Sequence, residues 1–158
     1  MSTDAIVPAA QTADAPSLFV LFQVDGVSYA LPAENVVQME SYKGATAVPG
    51  TLPFVAGIIQ LRGRVVPVID LRARFGLPPI EPTMDTRVVV GEHEGRHVAL
   101  VADTAREVAR IAPSQLKPPP RLVDLGARGF IRAVAQLEER TVMVLDFPKL
   151  IGEEPIDV

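Results

Sequence analysis

The chain has no cysteine, which excludes disulfides, thiolate catalysis and zinc or iron sites built on thiolates. Histidine is nearly absent too. His93 and His97 alone cannot furnish a His-rich metal site, and a His-based catalytic triad is not expected. Basic residues do not prevail: 15 Lys+Arg against 19 Asp+Glu leave a formal charge of −4, so the broad cationic face that nucleic acid needs is not expected. Long apolar runs are also missing. The longest stretch without a charged residue, Gly44 to Leu61, is broken by Pro49, Gly50, Pro53 and Gly57, so no direct membrane insertion is expected from it. The start, MSTDAIVPAAQTADAPS, lacks a basic segment and carries Asp4 and Asp14, unlike a secretory signal; residues 1–17 read as a disordered tail of a cytoplasmic protein. Gly44, Gly50 and Gly57 are spaced too widely for a phosphate-cradling loop, and no GKS or GKT occurs. No catalytic constellation, metal or cofactor is therefore expected.

What is present is a chain of 158 residues, 48% hydrophobic, with 15 Pro and 11 Gly, a composition that cuts it into short elements. LFVLFQV, Asp25-Gly26 and VSYAL form a β-hairpin signal, because Asp-Gly supplies the positive φ of a tight primed turn. RVVVGEHEGRHVALVA repeats that hairpin around Glu94-Gly95. FVAGIIQLRGRVVPVIDL reads as two strands meeting at Arg62-Gly63, and FIRAVAQL with RTVMVLDF repeats them around Glu138-Glu139. Helical periodicity is confined to Ala33–Glu40, Asp103–Arg110 and Asp124–Gly129. The segment PAENVVQMES reads either as a short helical turn opened by Pro32 or as a continuing strand.

The repeats align. Shifted by 76 residues, Phe54–Gly76 falls on Phe130–Gly152 with eight of 23 positions identical, among them Gln60/Gln136, Arg64/Arg140 and Asp70/Asp146. Shifted by 69, YALPAENVVQM falls on VALVADTAREV. The class is therefore all-β, a duplicated unit of about five short strands, each curling into a small barrel. Units of about 60 residues have marginal cores alone, so the two barrels should pack together and leave a groove at their seam.

Few residues suggest chemistry. His93 and His97 flank Gly95 at a hairpin tip. Asp70 and Asp146 read as strand-end residues that bond backbone N–H groups, in preference to an acid–base pair. The copies differ at one tip, where Arg62-Gly63 stands against Glu138-Glu139. Arg62, Arg64, Arg72 and Arg74 around Asp70 give a local charge of +3. Arg62 either pairs with a neighbouring carboxylate or offers a bidentate donor to a partner. Val36, Val37 and Met39 beside Gln38, with Gly57 and Ile59, are candidates for an apolar patch facing an amphipathic helix, or for plain core.

GIIQLRGRVVPVIDLRARFG resembles the signature of the CheW family, the coupling proteins of bacterial chemotaxis. FVLFQVDGVSYALPAENVVQM is similar to that family's first hairpin, and VALVADTAREVARI, LKPPP and FIRAVAQL…VMVLDFPKLI to its second half. The resemblance implies two SH3-like five-stranded β-barrels packed together, with short helices in the connections. It implies a CheW-like domain over 18–158, made of two intertwined subdomains at about 18–80 and 85–152. It also implies a non-enzymatic adaptor, without cofactor, that binds the cytoplasmic tip of chemoreceptors between its barrels. The regulatory domain of the CheA histidine kinase and other CheW-like domains are the further partners implied, in cytoplasmic arrays at the membrane. Carried over by position, the receptor contact falls on Val36, Gly57 and Arg62, with Gln38 where family members can carry an acid, so a neutral hydrogen bond replaces a salt bridge there. Gln60 stands for an Asn before Leu-Arg-Gly, and Ala102-Asp103-Thr104 for Val-Asp-Gly, which alters the turn. The kinase contact is expected on barrel ends without assigned residues. The same domain in CheV or CheA accompanies receiver or kinase domains, for which 158 residues leave no room; a free-standing adaptor is expected. The alternative is a double-barrel module for a small ligand or effector, which needs converging polar groups in an apolar pocket.

Overall fold

The structure, a computed structural model, describes residues 14–119, 129–138 and 140–152. Among these residues eleven strands follow in order: β1 Ser17–Val24, β2 Val27–Pro32, β3 Val36–Ser41, β4 Val55–Leu61, β5 Arg64–Asp70, β6 Arg87–His93, β7 Arg96–Ala102, β8 Thr104–Ile111, β9 Leu116–Lys117, β10 Ile131–Leu137 and β11 Arg140–Leu145. Two short helices, α1 Leu71–Arg74 and α2 Phe147–Ile151, sit at equivalent places in the repeat. The carboxylates of Asp70 and Asp146 accept from the amides of Arg72 (3.0 Å) and Lys149 (3.1 Å), which caps the helices. Each hairpin turn opens with a residue at positive φ: Asp25 (54°), Arg62 (50°), Glu94 (52°) and Glu138 (46°).

Two of the three stretches with helical periodicity are largely strand, which for PAENVVQMES is one of its two readings. Only Ala33–Asn35 of the first stretch turns, as a 3-10 helix; Val36–Ser41 is extended, and so is Thr104–Ile111. The expected helix at 124–129 lies outside the described residues except for Gly129. Residues 14–17, expected within the disordered tail, have a defined place. The Asp14 carboxylate accepts from the Ser114 amide (2.9 Å) and hydroxyl (3.1 Å), fixing the chain before β1.

The strands form two sheets, ordered β3-β6-β7-β5-β4 and β8-β1-β2-β11-β10-β9. They do not follow the sequence halves 18–80 and 85–152. Hairpin β1–β2 from the first half completes the sheet of β8 to β11, and hairpin β6–β7 from the second completes the sheet of β3 to β5. Both junctions use the same pairings: β2 runs parallel to β11 and β7 parallel to β5, while β1 meets β8 and β6 meets β3 antiparallel. The intertwining is an exchange of hairpins between the two copies. We call the first sheet barrel 1 and the second barrel 2; the two-residue β9 gives barrel 2 a sixth strand, and barrel 1 has only a single bridge, Thr46 to Ile58, at that place.

Alternation along these strands divides the core in three. Leu21, Ala30, Val142 and Val144 face into barrel 2, and Val66, Val68, Val88 and Val90 into barrel 1. The alternate residues Phe22, Tyr29, Leu31, Ile69, Val89 and Leu100 join Leu71, Phe147 and Leu150 of the helices in a larger cluster between the barrels. Most of the seam is thus filled core, not the open groove expected from packing alone. Each of its large, fully buried side chains contributes about 1.5–3 kcal/mol. Gly91 belongs to this fit, since a Cβ there would lie 2.5 Å from the Phe147 ring.

Polar clamps lock the exchange. Arg72 of α1 grips Asp103 bidentately, Nε to Oδ1 at 3.1 Å and Nη2 to Oδ2 at 2.8 Å, and Oδ2 also accepts the Asp25 amide at 2.8 Å. One network thereby joins α1, the β1–β2 turn and the β7–β8 junction. Arg74 lies over Phe54 (3.9 Å to the centroid) and its repeat mate Phe130 (4.6 Å), and its Nε donates to the Leu150 carbonyl at 3.0 Å. Burial lowers its pKa. The four arginines are therefore no single +3 surface: Arg62 and Arg64 are exposed, while Arg72 and Arg74 are structural.

Partial burial of the Asp103 carboxyl opposes its charge, but the Arg72 hydrogen bond, the Asp25 amide and the Arg72 charge outweigh this and hold its pKa below the ordinary 3.8. A depressed carboxyl adds stability that is present above its unfolded value and lost as pH falls through the folded one. Asp103→Asn should therefore cost about 2 kcal/mol at pH 7. Its stability should also fall less steeply than the parent's in urea titrations below about pH 4.

Candidate partner-binding site

β3 and β4 are the outer strands of barrel 1, and a contact between Glu40 and Arg62 spans the gap from β3 to the β4–β5 tip. Gln38 and Glu40 lie two apart on β3, on one face by the period of two. Gln38 Nε2 donates to Glu40 Oε2 at 2.9 Å, and the same oxygen stands 3.6 Å from Arg62 Nη2 at the β4–β5 tip. Glu40 thus brings Gln38 and Arg62 together across the gap between the strands. Of the two readings of Arg62, the pairing with a carboxylate is present. Its side chain is nevertheless 78% exposed, and a pair this open is worth at most about 1 kcal/mol.

The other two residues sit differently. Val36 is half-buried against the seam cluster, opposite Gly91 on β6. Gly57 is buried, with φ of 143°, and a Cβ there would lie 2.0 Å from the Thr46 carbonyl oxygen. Its lack of a side chain lets the Thr46–Ala47 backbone close over β4, so it offers a partner no side-chain surface of its own. Val37 (52%), Met39 (38%) and Val65 (55%) are exposed, the first two alternating with Gln38 and Glu40 and so pointing to the other face of β3. Ile59 packs against the barrel 1 core.

Sequence reasoning missed Glu40 and Thr46. Glu40 was legible only with β3 taken as a strand, where it shares a face with Gln38. Nothing local marks Thr46, which reaches Gly57 through the fold. Elsewhere, His93 Nε2 stands 3.8 Å from its neighbour Glu94, and among the described residues no group of three or more His, Asp or Glu could hold a metal. No helix among the described residues is long and apolar enough to cross a membrane.

The family described as the CheW-like domain matches residues 18–154. Among its relatives, the chemotaxis protein CheW of Bacillus subtilis is 32% identical over 135 residues, covering 85% of this chain and 86% of that protein. Protein FrzA of Myxococcus xanthus is 33% identical over 137 residues, 84% of each chain. The crystal structure of the scaffolding protein TtCheW from Thermoanaerobacter tengcongensis superposes with a TM-score of 0.80 at 29% identity, covering 87% of this chain and 94% of that one.

The environments of the glycines make a test. Gly57→Ala should destabilise by at least about 2 kcal/mol in urea unfolding, because a backbone oxygen occupies the Cβ position. Gly63→Ala, with nothing within 4 Å, should lose only the positive-φ cost of about 1–2 kcal/mol.

Proposed function

The chain belongs to the CheW-like family, and on that premise we propose that it is a non-catalytic adaptor coupling chemoreceptors to the CheA histidine kinase. The observation that carries the reading is the Gln38–Glu40–Arg62 chain, which links β3 to the exposed β4–β5 tip. A receptor tip is a helical hairpin, and an amphipathic helix asks for apolar contacts flanked by polar groups that fix its register. Half-buried Val36 supplies the first. Arg62 and Gln38 supply the second, the guanidinium as a bidentate donor and the amide as donor and acceptor.

Glu40 alters what the neutral Gln38 implies. Position 38 brings no charge, but the carboxylate two residues on receives its amide and faces the same gap. The weak Arg62–Glu40 pair can open for little cost, so that Arg62 turns to a receptor carboxylate while Glu40 stays satisfied by Gln38. Gly57 serves this face indirectly, through the Thr46–Ala47 backbone it admits. An adaptor transmits signal only by binding two states of a partner unequally, and a register-fixing ion contact is sensitive to small shifts of a helix. The chain would act in the cytoplasm, at receptor arrays on the membrane surface.

Arg62→Glu should weaken capture of a receptor cytoplasmic fragment by tenfold or more in pull-down or titration, since it replaces attraction with repulsion at the register contact. Its exposure means that thermal unfolding should stay unchanged. Receptor binding that survives the substitution unaltered would remove this face from the assignment.

A further inference from the structure

Barrel 2 carries an open cleft of about 620 Å³ at the end where β1 and β10 start and β8 ends. Leu18, Ile111 and Leu116 line it with apolar surface, Leu18 being 43% exposed. Arg110 and Arg132 line it as well, both exposed, and neither pairs with a carboxylate among the described residues. Glu34 is the acid of the lining, so these groups sum to +1 in a chain of −4. Arg132 is the extra residue of a β-bulge between Ile131 and Ala133, a device that re-aims a side chain out of the regular pleat.

The repeat supplies a second view of the same place. The 69-residue offset carries Ser17, Pro32, Glu34 and Ile111 onto Thr86, Val101, Asp103 and Tyr42. Those four line the equivalent spot on barrel 1, but the space there is only about 120 Å³ and two further walls are Ile80 and Pro82. They belong to LPPIEPTMDT, residues 77–86, which leads from α1 into β6. Barrel 1 therefore has its cleft covered by the chain's own proline-rich segment, with the acids Glu81 and Asp85 beside apolar Ile80 and Met84. Where barrel 2 has Arg110 and Arg132, barrel 1 has Ser41 and Ala56. The guanidinium groups thus stand on the copy whose cleft is open.

We propose that the barrel 2 cleft docks an extended segment of a partner protein with the same chemistry as 77–86, proline-stiffened and apolar with adjacent carboxylates. The apolar side chain sits between Leu18 and Leu116, where removing it from water drives binding. The carboxylates pair with Arg110 and Arg132, whose fork geometry favours bidentate contact. Proline lowers the ordering cost of the incoming chain. The site is on the barrel opposite the Gln38–Glu40–Arg62 face and stands or falls independently of it.

The test is titration of the full chain, isotopically labelled, with a blocked synthetic peptide LPPIEPTMDT, followed by NMR. Saturable shifts centred on Leu18, Arg110, Ile111, Leu116 and Arg132 are expected. Binding should weaken at least tenfold with a peptide whose two acids are amides, and equally for the Arg110→Gln/Arg132→Gln variant. These exposed positions leave the fold intact, which the unchanged spectrum of the remaining residues checks. Absence of saturable shifts, or equal binding of the neutral peptide, would overturn the proposal. A chain lacking residues 1–13 should bind as the full chain does; tightening by tenfold or more would make the chain's own tail the occupant and overturn the assignment to a partner.

Discussion

Each barrel is completed by a hairpin from the other half of the sequence, and the rest of the structure depends on that exchange. It sets β2 parallel to β11 and β7 parallel to β5, pairings that no short turn could make. It also places one face of both exchanged hairpins in the seam, where Phe22, Leu31, Val89 and Leu100 meet the two helices. A unit of about 60 residues would be marginal by itself. Interlocked, the two share a third core larger than either barrel interior. The Arg72–Asp103–Asp25 network and Arg74 between Phe54 and Phe130 then hold together segments from both halves.

Against this near-symmetric frame the functional features are departures from symmetry. The tip Arg62-Gly63 on barrel 1 corresponds to Glu138-Glu139 on barrel 2. The barrels also differ in the link between their outer strand and their hairpin: Glu40 with Arg62 on one, Glu107 with Arg140 on the other. By strand pairing, Glu107 is the counterpart of Gln38, so the acid missing from position 38 is present in the second copy. A duplicated scaffold that keeps its core and varies its tips and rims can present different surfaces at fixed separation. That geometry suits an adaptor that must engage more than one partner.

Much of this was legible. The hairpins announce themselves through Asp25-Gly26, Arg62-Gly63 and Glu94-Gly95, because positive φ has local chemical causes. The repeat offsets of 69 and 76 place α1 against α2 and Asp70 against Asp146 correctly. The false helices have a physical origin: bulges at Val37 and Arg106 insert one residue into β3 and β8. That insertion breaks the period of two, and the apolar Ala105, Val108 and Ala109 then read as helical although Val108 points to solvent. Glu40 gains its meaning only on the strand reading of PAENVVQMES, one of the two that the sequence allows. The hairpin exchange was hidden for another reason. The two copies present equivalent edges, and no local pattern states which copy a hairpin completes. The apparent charge patch failed because Arg72 and Arg74 follow Asp70 into a capped helix that turns them inward.

Exchanged hairpins make the two barrels one cooperative body. Native-state amide hydrogen exchange in low urea measures this directly, comparing Val66 and Val68 of barrel 1 with Val142 and Val144 of barrel 2. Both sets should open with the same free energy, within about 0.5 kcal/mol, and with the same urea dependence. Opening free energies that differ by more than about 2 kcal/mol, with separate urea slopes, would contradict it.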